Sequence, residues 1–156
     1  MSDMGTAEAA VSGTDADERA LSTVDGAVSV RVAGGPLVAP VLRRLVSIVL
    51  ARADWPLDGL DDALLVCDAL SAHAPAHALA GRLALSARAN EREAELRVGE
   101  LRHGGAAGLL GDATLPVVGN VLESIAEDVS VLDEPDGSAL VLILRTCSQP
   151  GPPSPS

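Results

Sequence analysis

The chain contains no lysine, no phenylalanine and no tyrosine, and Trp55 is its only aromatic of the Phe/Tyr/Trp class. A core of this sequence has to be packed from Leu, Val, Ala and Ile, without the large contact area of buried aromatic rings. With no rings on which bases could stack, and a formal net charge of -11 that repels phosphate, direct binding to nucleic acid is disfavoured. Cysteine is scarce too. Cys67 and Cys147 give neither a disulfide framework nor zinc-ligand spacing and read as two reduced thiols. No apolar run is long enough to span a bilayer. The N-terminus carries Asp3, Glu8, Asp15, Asp17 and Glu18 without a basic start, so a secretory signal is not expected and a cytoplasmic location is. Missing lysine beside abundant Ala, Arg, Gly and Pro reads as GC-rich coding, which speaks to source and not to function.

At 156 residues the chain has room for one core of ordinary extent plus tails. Residues 1–25 mix small residues and acids without a period and read as an acidic disordered tail. Residues 146–156 are rich in proline and serine and read as a second, extended tail. The folded domain is expected between them, over residues 26–145.

Within it, Val28, Val30 and Val32 alternate with Ser29, Arg31 and Ala33, the pattern of a half-buried strand. Gly34-Gly35-Pro36 breaks it. From Pro36 to about Ala53, Leu37, Val41, Leu45 and Ile48 recur at helical spacing while Arg43, Arg44 and Arg52 lie off that stripe. A second helix is expected from about Asp58 to Ala74, with Asp58, Asp61 and Asp62 near its positive pole. At about 100° per residue, Asp61, Leu64, Leu65, Asp68 and Ala72 share one face, and Val66, Leu70 and His73 the other. Both faces are largely apolar, which predicts a central helix closed by Pro75.

Leu79 to Arg88 and Glu93 to Leu101 alternate on either side of Ala89-Asn90-Glu91-Arg92 and read as a hairpin. The stretch from His103 to Gly111 reads as a glycine-rich loop. Asp112 or Thr114 can cap a third helix to about Glu127, with Pro116 in its first turn and Val117, Val118, Val121, Leu122 and Ile125 apolar. Val129 to Leu132 and Ala139 to Leu144 flank the turn Glu134-Pro135-Asp136-Gly137 and make a last hairpin. The predicted fold is α+β: a two-layer sandwich of a mixed, mostly antiparallel sheet with three helices on one face.

The order of elements from Val28 to Arg145, with the helix-to-loop stretch Leu64 to Ala78, resembles the ATP-binding domain of anti-sigma regulatory factors of the RsbW and SpoIIAB type. These belong to the GHKL, histidine-kinase-like superfamily. The likeness is greatest to its degenerate actinobacterial members. It implies a Bergerat-like domain that sequesters a sigma factor, binds a STAS-type antagonist and, where active, phosphorylates that antagonist using ATP and Mg. By position, Asp68 stands where the family has its glutamate base and Ala72 where it has the metal-binding asparagine. Alanine supplies no oxygen ligand to magnesium, and His73, one position late, is a poor substitute. Glu100 stands for the aspartate that accepts from the adenine amino group, but Arg102 and Gly104 then fall at the two glycine positions, with Gly105 beyond. Asp112-Ala113-Thr114-Leu115-Pro116 replaces the glycine-rich approach to the last helix, where backbone amides would meet phosphate.

Three weakened boxes imply a non-catalytic regulatory protein, with no cofactor or metal expected and a homodimer as the family's usual state. The alternative is a residual serine/threonine protein kinase with Asp68 as base and Glu100 on adenine. Each candidate also has a plainer role. Asp68 can be a carboxylate bonded to an arginine or to backbone. His73 and His77, four apart, would share a face only if the helix passed Pro75. The segment from Gly104 to Gly111 lacks Lys, Ser and Thr and so is no phosphate-binding P-loop. Arg43, Arg44 and Arg52 are either a solvated face or contacts for an acidic partner surface.

Overall fold

A computed structural model describes residues 21–24 and 26–146. Of the tails expected at 1–25 and 146–156, residues 1–20, 25 and 147–156 lie outside the described residues. The segment read as an N-terminal tail nevertheless contains strand β1 (Leu21–Val24), which pairs with β2 (Ala27–Ala33) through a turn at Gly26. There follow α1 (Val38–Arg52), α2 (Leu57–His73), a 3-10 turn (Ala74–His77), β3 (Arg82–Ala89) and β4 (Glu93–Leu101). Then come α3 (Gly105–Asp112), the short strands β5 (Thr114–Leu115) and β6 (Gly119–Asn120), α4 (Val121–Ile125), β7 (Asp128–Glu134) and β8 (Gly137–Arg145).

Six strands form one sheet in the order β1-β2-β3-β4-β8-β7, and every one of these pairings is antiparallel. The helices cover one face, so the molecule is the expected α+β two-layer sandwich. Alternation decides which side chains meet them. Val30, Val32, Leu83, Leu85, Leu96, Val98, Leu140 and Leu142 are buried on the helix side. The opposite side carries Ser29, Arg31, Ser86, Arg88, Glu95 and Arg97, and it is laced by ion pairs between Arg88 and Glu95 (3.1 Å) and Arg145 and Glu93 (3.1 Å).

Helix α1 buries Val38, Leu42, Leu45, Val46, Val49 and Leu50, while Leu37 and Ile48 are exposed. The stripe expected through Leu37, Val41, Leu45 and Ile48 is therefore split: Leu45 is in the core and Val41 partly buried against it, while Leu37 and Ile48 face outward. The helix is apolar over most of its circumference, and the sheet takes the side richer in leucine and valine. Helix α2 is not central either. It buries Ala63, Val66, Cys67 and Leu70, whereas Asp61, Leu65, Asp68 and Ala72 face solvent.

The largest departure lies between residues 104 and 127. The expected glycine loop is a helix, α3, in which Gly105 and Gly108 are set against close neighbours. A Cβ on Gly105 would come within 3.1 Å of the His77 carbonyl oxygen, and one on Gly108 within 2.6 Å of the His77 ring. The expected third helix from Asp112 to Glu127 is broken. Pro116 and Gly119, the latter at φ +86°, bend the chain into the β5–β6 ribbon. Only five residues of helix remain in α4, capped by Asn120 and not by Asp112 or Thr114.

Both hairpins form as predicted. In the first, the Asn90 side chain accepts from the amides of Arg92 and Glu93 (2.9 Å each), and Trp55 Nε1 donates to the Asn90 carbonyl oxygen (2.7 Å). The lone tryptophan thus ties the α1–α2 corner to the sheet.

Candidate functional site

Asp68 sits on the outer face of α2, and Arg43 of α1 donates to its carboxylate at 2.5 Å. Arg43 is the residue off the apolar stripe of α1 that reaches across to the neighbouring helix. One carboxylate oxygen of Asp68, Oδ1, takes this bond, and both side chains of the pair remain about half exposed. Ala72 lies exposed one turn further along, and His73, half-buried, ends the helix. His77 does not join it: beyond Pro75 its Nε2 lies 2.7 Å from Asp112 Oδ2, with its ring packed on Gly108.

Glu100 is elsewhere. The β4–β8 ladder slips by one residue between Val98 and Leu101, a β-bulge, and Glu100 takes φ +58° within it. Its two carboxylate oxygens accept from Arg31 Nη2 and Nε at 2.6 and 2.7 Å. This bidentate bond, and then the charge of Glu100, raise the Arg31 pKa further above its ordinary value. Arg31 stands in register with Ala84 and, through it, Gly99, on the face away from the helices. Asp68 and Glu100 therefore lie on opposite sides of the sheet, each closed by its own arginine. Glu100 borders a surface cleft of about 390 Å³ with Arg31, Leu79, Glu134 and Ser138, which Asp68, Ala72 and His73 do not line.

Gly104, at φ +75°, caps the N-terminus of α3, and Gly105 opens it. The first two amides of this terminus are already engaged, that of Gly105 by the Arg102 carbonyl (2.7 Å) and that of Ala106 by Ser138. Ser138, buried at the start of β8, accepts from the Ala106 amide (3.0 Å) and donates to the Arg102 carbonyl (2.6 Å). Among the described residues no group of three or more His, Cys, Asp or Glu side chains could hold a metal ion. Cys67 is fully buried, and desolvation pushes its thiol up to about 12, so it is neutral and inert at physiological pH.

Of the arginines singled out on α1, Arg43 is thus paired with Asp68 within the domain, its side chain partly exposed. Arg44 and Arg52 are exposed, and Arg52 borders a cleft with Val28, Val49 and Ala53.

Sequence reasoning missed the element that departs most from a soluble surface. At the tip of the β5–β6 ribbon Val117 is 94% exposed and Val118 68%, with Leu115 at 46%. Asn120 holds the neck. Its side-chain oxygen accepts from the amides of Leu122 and Glu123, and its Nδ2 donates to the Leu110 carbonyl (2.7 Å) and to Thr114 Oγ1 (3.1 Å). The signal was present as Asn120-Val121-Leu122-Glu123, a cap residue followed three positions on by glutamate. Arg31 had no such signal, since nothing local links it to a bulge two strands away.

No helix of the described residues is long and apolar enough to cross a membrane. No protein-family model matches the chain, and no curated protein matches it.

Proposed function

We propose that this domain is a non-catalytic regulator that controls transcription by binding a sigma factor or a STAS-type antagonist, as its resemblance to the anti-sigma factors implies. The observation that carries the reading is the separation of Asp68 from Glu100, each paired with an arginine on its own face of the sheet. A kinase of this kind needs a base and an adenine acceptor around one nucleotide, and a metal ligand between them. Here the metal-ligand position is Ala72, and the two carboxylates do not share a cleft.

An exposed apolar tip on a hydrogen-bonded neck supports protein contact instead. Apolar side chains presented by a pre-organised loop can enter a partner's pocket with little loss of conformational entropy. In the regulatory reading the domain is cytoplasmic, acts as a homodimer, and occludes sigma surfaces needed by polymerase.

The test is a titration of the purified chain with ATP and ADP in the presence of Mg, following Trp55 fluorescence and melting temperature together. Any ligand selective for the folded state raises apparent stability by mass action. The expected result is no shift at millimolar nucleotide, together with a stable complex between the chain and a purified sigma factor or STAS protein in size-exclusion chromatography. A saturable shift abolished by Asp68→Ala would replace this reading with the serine/threonine kinase.

A further inference from the structure

Among the described residues strand β7 is the last strand of the sheet and pairs on one side only, with β8. Seven residues long, it offers an unpaired row of backbone donors and acceptors on its other side. The edge is also apolar at its centre: Val131 is 41% exposed on the helix side and Leu132 38% on the open side. Natural edges of this length are commonly blunted by lysine, proline or a bulge. Strand β7 has none of these, and its register with β8 is unbroken from Asp128 to Glu134.

What it has is acid at both ends, Asp128 at one and Asp133 with Glu134 at the other. If two copies paired antiparallel about Val131, Asp128 would face Glu134 of the other copy, twice. Sliding the two-fold to the point between Ser130 and Val131 sets Asp128 against Asp133, again twice. Like charges directly opposite destabilise a strand pair, so both central registers of self-pairing are opposed.

The same charges favour a different occupant. Arg97 takes up the Glu134 carboxylate (2.5 Å), whereas among the described residues Asp128 and Asp133 have no cation within salt-bridge distance. We infer that the free edge of β7 is a docking site for an extended segment of another protein, basic at both ends and β-branched between. Its backbone extends the sheet as a seventh strand, antiparallel to β7. Its cations meet Asp133 and Asp128, and its apolar residues cover Val131, Leu132 and Val129. Main-chain bonds supply affinity and the paired charges supply register and partner choice. This site does not depend on the sigma-factor reading.

The probe is a capped seven-residue peptide, RKIVTVK, whose first two residues face Glu134 and Asp133 and whose last faces Asp128. It is titrated into the full isotopically labelled chain and followed by amide chemical shifts and hydrogen exchange. Expected are saturable shifts and slowed exchange confined to residues 127–134, no binding of the EEIVTVE counterpart, and about fivefold weaker binding to Asp128→Asn/Asp133→Asn. Asp133→Lys, a single exposed change, gives the same loss should the double variant fail to fold. Equal affinity for the neutralised chain, or protection on another element, overturns the inference. So does protection of β7 that grows with protein concentration without peptide, which would make the occupant a second copy.

Discussion

Arg31 and Glu100 stand 69 positions apart in the chain and meet in a two-pronged ion pair that crosses over β3, from the second strand of the sheet to a bulge in the fourth. Within that bulge Glu100 takes a left-handed backbone conformation that non-glycine residues seldom adopt. Two opposed effects therefore reside in one residue. Glu100→Ala loses the exposed pair and keeps the backbone strain, whereas Glu100→Gly loses the pair and relieves the strain. The glycine variant should be the more stable of the two by about 1 kcal/mol, read as a difference in urea midpoints at equal slope. An alanine variant as stable as the glycine one would mean that the bulge carries no strain.

Glycines at 137 and 111 should answer the same substitution with opposite signs. A Cβ on Gly137 would come within 2.2 Å of the Leu101 carbonyl oxygen, a backbone atom of the same bulge that cannot step aside. Gly137→Ala should cost about 2–4 kcal/mol. Nothing lies within 4 Å of a Cβ on Gly111 in α3, so Gly111→Ala should stabilise by about 0.5–1 kcal/mol through helix propensity. Thermal melts of both variants check the contrast, and a tolerated alanine at 137 would show that β8 does not press on the bulge.

Asn120 serves both as helix cap and as the neck of the apolar ribbon, and two substitutions separate these roles. Asn120→Asp keeps the oxygen that accepts from Leu122 and Glu123 but loses the donor to Leu110. Asn120→Ala loses both and should cost about 1–2 kcal/mol, with aspartate in between. In the regulatory reading, both variants also loosen the presentation of Val117 and Val118 and weaken partner binding under conditions where the chain is still fully folded. If Val117→Ser/Val118→Ser leaves partner binding untouched, the tip is not the contact.

Local chemistry made much of this fold legible. Val28, Val30 and Val32 announce a strand by alternation, and Pro135-Asp136-Gly137 announce a turn by their backbone preferences, and both are where the sequence puts them. The phase of α1 was ambiguous because apolar residues surround it, and only the sheet decides which of them are covered. The α3 region misled because glycine serves two opposite purposes, freedom and close packing. Which one applies at Gly108 depends on His77, 31 positions away. The candidate site failed to assemble for a related reason. A one-residue bulge sends Glu100 to Arg31 on the open face, and neither the bulge nor the arginine leaves a local mark.

The composition offers an unusually clean alkaline test of the core. Burial raises the Cys67 thiol from its ordinary 9.0 to about 12, with Arg43 opposing the rise and Asp68 adding to it. Between those values the unfolded chain releases the thiol proton and the folded chain keeps it. The unfolded state then binds fewer protons, and stability falls as pH rises, by at most about 1.4 kcal/mol per unit. Below about pH 9 the stability is fully present. With no lysine and no tyrosine in the chain, no other side chain but Cys147 ordinarily titrates in this window. In a Cys147→Ser background, urea midpoints should therefore drop between pH 9 and 11, and the additional Cys67→Ala change should flatten that slope while costing some stability at pH 7. The folded thiol should also resist an aromatic disulfide reagent until urea unfolds the chain. Rapid labelling in the native state would place Cys67 at the surface and remove it from the core.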